Sequence, residues 1–92
     1  NPTHYAIALQ YDPGENPAPT VVAKGVDLIA HRIMDLAREH GVPLVEKPPL
    51  ARELYKKVDI DQQIPAELWE AVAEVLALVY KTRPNRKPVS VG

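Results

Sequence analysis

Tyr5-Ala6-Ile7-Ala8-Leu9-Gln10-Tyr11 is the stretch on which the fold turns. Alternation puts Tyr5, Ile7, Leu9 and Tyr11 on one face of a strand and Ala6 and Ala8 on the other. Both faces are mostly apolar, so a strand over residues 3–11 belongs inside a sheet, covered on both sides. Such a strand needs a partner on each edge, because open N–H and C=O groups there invite aggregation. Only two further strands are legible, at residues 21–23 and 42–45, and both are very short. The sheet is therefore expected to lack a strand that these residues do not supply.

Outward from that strand, residues 12–20 read as a loop, with Asp-Pro-Gly followed by Asn-Pro-Ala-Pro. Residues 27–40 read as an amphipathic helix, with Val26, Ile29, Ile33, Leu36 and Ala37 as its apolar stripe. Gly41 sits where a left-handed residue stops a helix. Strand, helix and strand in that order predict a right-handed crossover and a parallel strand pair. Pro48-Pro49 opens a second helix to about Lys57, since proline suits the first turn. After a connection over residues 58–64, Pro65 opens a last helix to about Tyr80. Its stripe is Leu68, Val72, Val75, Leu76 and Val79, with Ala71, Ala73 and Ala77 allowing close packing. Residues 83–92 carry two prolines and read as a flexible tail after a domain spanning residues 1–82. The fold class is α/β, a small mixed sheet surrounded by helices.

The composition sets bounds. Ninety-two residues make one small domain, and 46% of them are hydrophobic. A chain of this size buries only about 60–65% of its unfolded surface, so its stability is marginal. A net charge of -1, with both signs scattered, argues against a nucleic-acid or anionic-membrane face. The absence of cysteine excludes disulfides and thiolate metal sites. No apolar run reaches the ~18 residues of a membrane span. The opening Asn-Pro-Thr-His shows no signal peptide, and the missing initiator Met reads as a fragment or processed chain.

Candidate chemistry is sparse. His4, His31 and His40 are not spaced as helical metal ligands, and His31 reads as a solvated surface residue. His40 suits the last turn of its helix, where a cation is favoured. Lys24-Gly25 before a helix start resembles an anion site only weakly, and a strand-to-helix turn explains it. Glu53 and Lys57 are an i,i+4 pair. Asn1-Pro2-Thr3-His4 differs, because an Asn before Pro can break its own backbone. Its side-chain nitrogen attacks its own carbonyl carbon, closes a succinimide and expels the proline nitrogen. A strained turn would accelerate this, and His4 can act as base or proton donor.

Asn1-Pro2-Thr3-His4 followed by Tyr5-Ala6-Ile7-Ala8-Leu9 resembles the autocleavage motif and following strand of the FlhB/YscU family. Val21-Val22-Ala23-Lys24-Gly25-Val26-Asp27, Glu39-His40-Gly41-Val42-Pro43, Pro48-Pro49-Leu50-Ala51-Arg52-Glu53-Leu54-Tyr55, Ile64-Pro65 and Ala71-Val72-Ala73-Glu74-Val75-Leu76 agree with it as well. Tyr5 and the Val-Ala-Lys-Gly-Val-Asp segment resemble the flagellar branch more than the injectisome branch. Glu53 departs from the usual Ala, on an exposed helix face. The resemblance implies one self-cleavage between Asn1 and Pro2, with Thr3 and His4 completing the motif, and no turnover enzyme. It implies a cytoplasmic domain at the bacterial inner membrane, with membrane-spanning helices elsewhere in the parent protein. Cleavage permits a change of export from rod and hook subunits to filament-type subunits.

The partners implied are export-gate membrane components, a hook-length ruler protein, exported rod and hook subunits and the domain's own N-terminal cleavage fragment. No nucleic acid, cofactor or metal is implied. Ala18, Pro19, Ala73 and Leu76 match the family positions that form a docking pocket for exported subunits, although periodicity alone places Ala73 and Leu76 in the core. The missing strand is assigned, on the same resemblance, to residues preceding Asn1. Alternatives are an injectisome-type switch, a non-cleaving scaffold domain, or a nucleotide-binding fragment using Lys24-Gly25.

Overall fold

The computed structural model describes residues 1–12, 18–82 and 88–92. The first strand, β1 (Tyr5–Gln10), is followed by β2 (Thr20–Val26) and helix α1 (Asp27–Glu39). Then come β3 (Leu44–Val45), α2 (Pro48–Lys57), a short 3-10 turn (Ala66–Leu68), α3 (Trp69–Thr82) and β4 (Val89–Val91). The sheet runs in the order β2-β1-β4-β3, so β1 is interior as its two apolar faces require. It is antiparallel to both neighbours, and β3 is parallel to β4. The sheet is mixed and small, with helices around it, as the strand and helix patterns predict.

One face of β1 supplies Ile7 and Leu9 to the core, and both are almost fully buried. They join Leu50, Ala51 and Leu54 of α2 and Leu68, Val72, Val75, Leu76 and Val79 along the last helical segment. The stripe read from the sequence of α3 is thus the buried one. Each such aliphatic side chain contributes about 1.5–3 kcal/mol relative to exposure. The other face of β1 offers Ala6, and α1 packs on this strand and on β2. Helix α1 comes close because small residues meet there: Ala30 and Ala37 are its buried positions, and Gly25 lies opposite Ala6. A Cβ at Gly25 would run into the Ile29 side chain.

Four expectations need correction. The buried stripe of α1 is centred on Ala30 and Ala37, while Ile29 and Leu36 are exposed. Close approach to the sheet selects the small residues over the large ones. The crossover from β2 through α1 to β3 does not create an adjacent parallel pair, because β1 and β4 lie between them. The expected tail ends in order: β4 is a buried strand, while residues 83–87 lie outside the described residues, as do residues 13–17 of the expected loop. Finally, the open edge of β1, assigned in the sequence to a segment before Asn1, is occupied by β4. Val89-Ser90-Val91 is short and follows Pro88 directly, which hides it from periodicity, yet its valines suit a pleated interior.

Local signals set the element ends. Gly41 has φ 66°, the left-handed stop that follows α1. Pro48 and Pro49 open α2. The outer edge of β2 is covered by the connection after α2: Val21 N–H donates to Gln62 O, Asp61 N–H to Val21 O, and Ile64 N–H to Pro19 O. Gly92 N–H donates to Val45 O, and its carbonyl accepts from Lys47 N–H, tying the end of β4 to the start of α2.

Because Val91 is fully buried, Val91→Ala should cost about 2 kcal/mol, roughly 10 °C in Tm for a domain this size. The buried Ser90 hydroxyl has no hydrogen-bond partner, so Ser90→Ala should leave Tm unchanged or raise it. Thermal unfolding of both variants checks the seating of β4. A Val91→Ala protein melting with the wild type would place β4 outside the core.

Candidate functional site

The Asn-Pro-Thr-His segment leads directly into β1, and its four residues are exposed. The hairpin register sets what it meets. Tyr5 pairs with Val26, so the next residue, Asp27, falls beside His4 and Thr3. Asp27 N–H donates to His4 O at 2.9 Å. In return, Asp27 Oδ1 accepts from Thr3 N–H at 3.0 Å, from His4 N–H at 3.2 Å and from the Thr3 hydroxyl at 3.2 Å. Thr3 Oγ1 also lies 3.0 Å from His4 Nδ1. The His4 ring packs against His31 of α1, with centroids 4.7 Å apart. The backbone N–H groups of Thr3 and His4 hold the Asp27 carboxyl below its ordinary value of 3.8.

A second feature lies away from this motif. An apolar groove of about 430 Å³ is lined by Tyr11, Ala18, Pro19, Ile64, Trp69, Val72, Ala73, Leu76 and Ala77. All four residues read as pocket positions, Ala18, Pro19, Ala73 and Leu76, line this one groove. Ala73 is exposed, whereas Leu76 is buried and shared with the core. Small alanines on α3 make the depression, and Val72 and Leu76 floor it with apolar surface. The Trp69 indole N–H donates to Ile64 O at 2.8 Å, fixing the ring at the rim while it stays 56% exposed.

The other candidates have ordinary roles. Lys24 Nζ donates to Tyr55 O at 3.0 Å and lies over the Tyr55 ring, so it is turned towards α2. His31 is exposed but its ring packs at a tilt against His4, and His40 caps α1 with its N–H donated to Leu36 O. Lys57 pairs with Glu53 at 3.1 Å, as the i,i+4 spacing predicts, and this carboxylate raises the Lys57 pKa. Among the described residues, no group of three or more His, Asp or Glu can hold a metal. No helix among them is long and apolar enough to cross a membrane.

Sequence reasoning missed Asp27, His31 and Trp69. The first two were within reach of a longer β2: extending that strand to Val26 fixes the hairpin register and brings residue 27 to residues 3 and 4.

The fold and motif together define a class: a small mixed α/β domain whose central strand begins directly after an Asn-Pro-Thr-His segment. The chain belongs to the FlhB HrpN YscU SpaS Family, whose model matches residues 1–79. It is 58% identical over 83 residues to the flagellar biosynthetic protein FlhB of Salmonella typhimurium, covering 90% of this chain and 22% of that protein. The FlhB of Bacillus subtilis is 57% identical over 83 residues, covering 90% of this chain and 23% of the relative. The chain thus spans under a quarter of the length of these curated relatives. The crystal structure of the cytoplasmic domain of FlhB from Shewanella putrefaciens superposes with a TM-score of 0.83 at 50% identity, covering 94% of this chain and 68% of that one. The PscU C-terminal domain gives a TM-score of 0.82 at 45% identity, covering 85% of this chain and 99% of that one.

The lowered Asp27 pKa has a definite sign. Its contacts are fully present above the ordinary value of 3.8 and are lost as pH falls through the lower folded value. A carbon-13 titration of the Asp27 carboxyl should give a midpoint below 3.8, with the Thr3 and His4 amide shifts moving at the same midpoint. Amides that titrate with a different group would remove Asp27 from this contact.

Proposed function

We propose that this chain is the cytoplasmic, self-cleaving domain of a flagellar type III export-gate protein. In this reading the longer protein cleaves once between Asn1 and Pro2, and the change permits a switch from rod and hook subunits to filament-type subunits. The domain works at the cytoplasmic face of the bacterial inner membrane. Its partners are export-gate membrane components, a hook-length ruler protein, exported subunits and its own N-terminal fragment. The observation that carries the reading is the Asn-Pro-Thr-His segment, inside the matched residues 1–79 and hydrogen-bonded at its Thr3 and His4 end. The higher identity to flagellar relatives supports the flagellar branch over the injectisome branch.

The chemistry asked of the domain is modest. Asn1 supplies both nucleophile and electrophile, so proximity provides most of the advantage. The fold's part is to hold the bond to Pro2 in a productive geometry, while the His4 ring serves as base or proton donor. Asn1→Ala should abolish cleavage, His4→Ala should slow it without abolishing it, and Pro2→Ala should slow or alter it. Fragment mass analysis of the longer protein checks this, and complete cleavage of Asn1→Ala would sink the mechanism.

Subunit docking is assigned to the apolar groove. Ala73 is exposed on its wall, so Ala73→Asp places a charge in the groove without entering the core. This variant should keep its circular dichroism spectrum and bind hook-type subunits at least tenfold more weakly by titration calorimetry. Unfolding of Ala73→Asp would make Ala73 a core residue and withdraw the groove as the docking site.

A further inference from the structure

We propose that Asp27 is a positioning residue for cleavage at the Asn1–Pro2 bond, acting by anchoring the two amide groups that follow the leaving proline. The inference rests on the cleavage reading above. A carboxylate at a helix start ordinarily caps its own helix, accepting from N–H groups one turn on. Asp27 does something else. Its Oδ1 takes N–H groups from Thr3 and His4, 24 and 23 residues away, and α1 has no side-chain cap. The contact is reciprocal, since Asp27 N–H is given to His4 O. Thr3 and His4 are thereby fixed to the helix as well as to the sheet.

The backbone at Asp27 supports a specific role. Its φ of 47° lies in the left-handed region, where a residue other than glycine carries strain. Glycine would adopt this angle freely, but only a side-chain acceptor can reach the two amides. In the cleavage step, Asn1 Nδ2 forms a bond to the Asn1 carbonyl carbon and loses a proton. The bond to Pro2 breaks, its electron pair goes to the proline nitrogen, and that nitrogen ends with the proton. The departing atom lies one residue before an amide that Asp27 holds. Misplacement of such an atom costs rate even when nothing else changes.

The Thr3 hydroxyl extends the anchor to His4. While its O–H donates to Asp27, Oγ1 can only accept from His4, which requires the tautomer protonated at Nδ1. The other ring nitrogen, Nε2, is then the proton acceptor. Asp27 therefore sets both the backbone and the proton placement of the motif residues after Pro2.

The test uses the longer protein, with residues on both sides of the Asn1–Pro2 bond, and follows the cleaved fraction by mass analysis. Asp27→Asn keeps the accepting oxygen and should cleave within threefold of wild type. Asp27→Ala and Asp27→Gly lose the acceptor and should slow cleavage about tenfold, the equivalent of one lost hydrogen bond. Asp27→Gly relieves the strained angle, so its Tm should not fall, which separates positioning from stability. Amide exchange at Thr3 and His4 should quicken in the Ala and Gly variants and stay slow in Asp27→Asn. Wild-type cleavage with an equal rate in Asp27→Ala and Asp27→Gly overturns the proposal alone. So does an Asp27→Asn protein as slow as Asp27→Ala with its amides still protected, because charge and not anchoring would then matter. A wild-type protein that stays intact overturns the cleavage reading and this proposal with it.

Discussion

The two-sided burial of β1 is the constraint on which the rest of this domain depends. A six-residue strand with Ala6, Ile7 and Leu9 almost fully buried must be hydrogen-bonded along both edges and covered on both faces. That requirement places β2 and β4 beside it, α1 over one face and the packed α2 and α3 over the other. It also explains the division of side-chain size. The face towards α2 and α3 carries Ile and Leu and builds the larger core, whereas the face towards α1 carries Ala6 and lets the helix approach closely.

The motif inherits its geometry from this strand. His4 precedes the first residue of β1, so the hairpin that orders Tyr5 against Val26 also orders Thr3 and His4 against Asp27. A rigid sheet on one side and a helix start on the other leave those two residues little freedom. Asn1 and Pro2 project beyond the last held amide, exposed at the end of the strand. The groove lies elsewhere, between the start of β2 and α3, and draws on the same core through Leu76 and Val72. Motif and groove are thus separate features on one scaffold.

Much of this was legible in the residues because it rests on strong local signals. The double-faced strand, the stripe of α3, Pro48-Pro49 and Gly41 each have one good structural solution. What escaped the reading depended on tertiary contact. Leu36 and Ile29 looked like core by spacing, but the small Gly25 and Ala6 invited a closer packing centred on Ala30 and Ala37. β4 escaped because three residues between prolines and the end of the segment carry too little period to register, and only a vacant edge on β1 makes them a strand. The groove residues were placed through family likeness; periodicity alone would have put both Ala73 and Leu76 in the core, and only Leu76 belongs there. Asp27 escaped because its role spans 23 and 24 residues and depends on a register that the short reading of β2 did not fix.

Trp69 is the one tryptophan in the sequence, and its indole is pinned by Ile64 O at the rim of the groove while more than half of its surface meets water. An amphipathic ring in that position trades solvent for apolar surface whenever something enters the groove. The molecule therefore carries its own optical gauge. Within residues 1–92, entry of an apolar segment into the groove would shift the emission colour of this single indole, a change readable without any label.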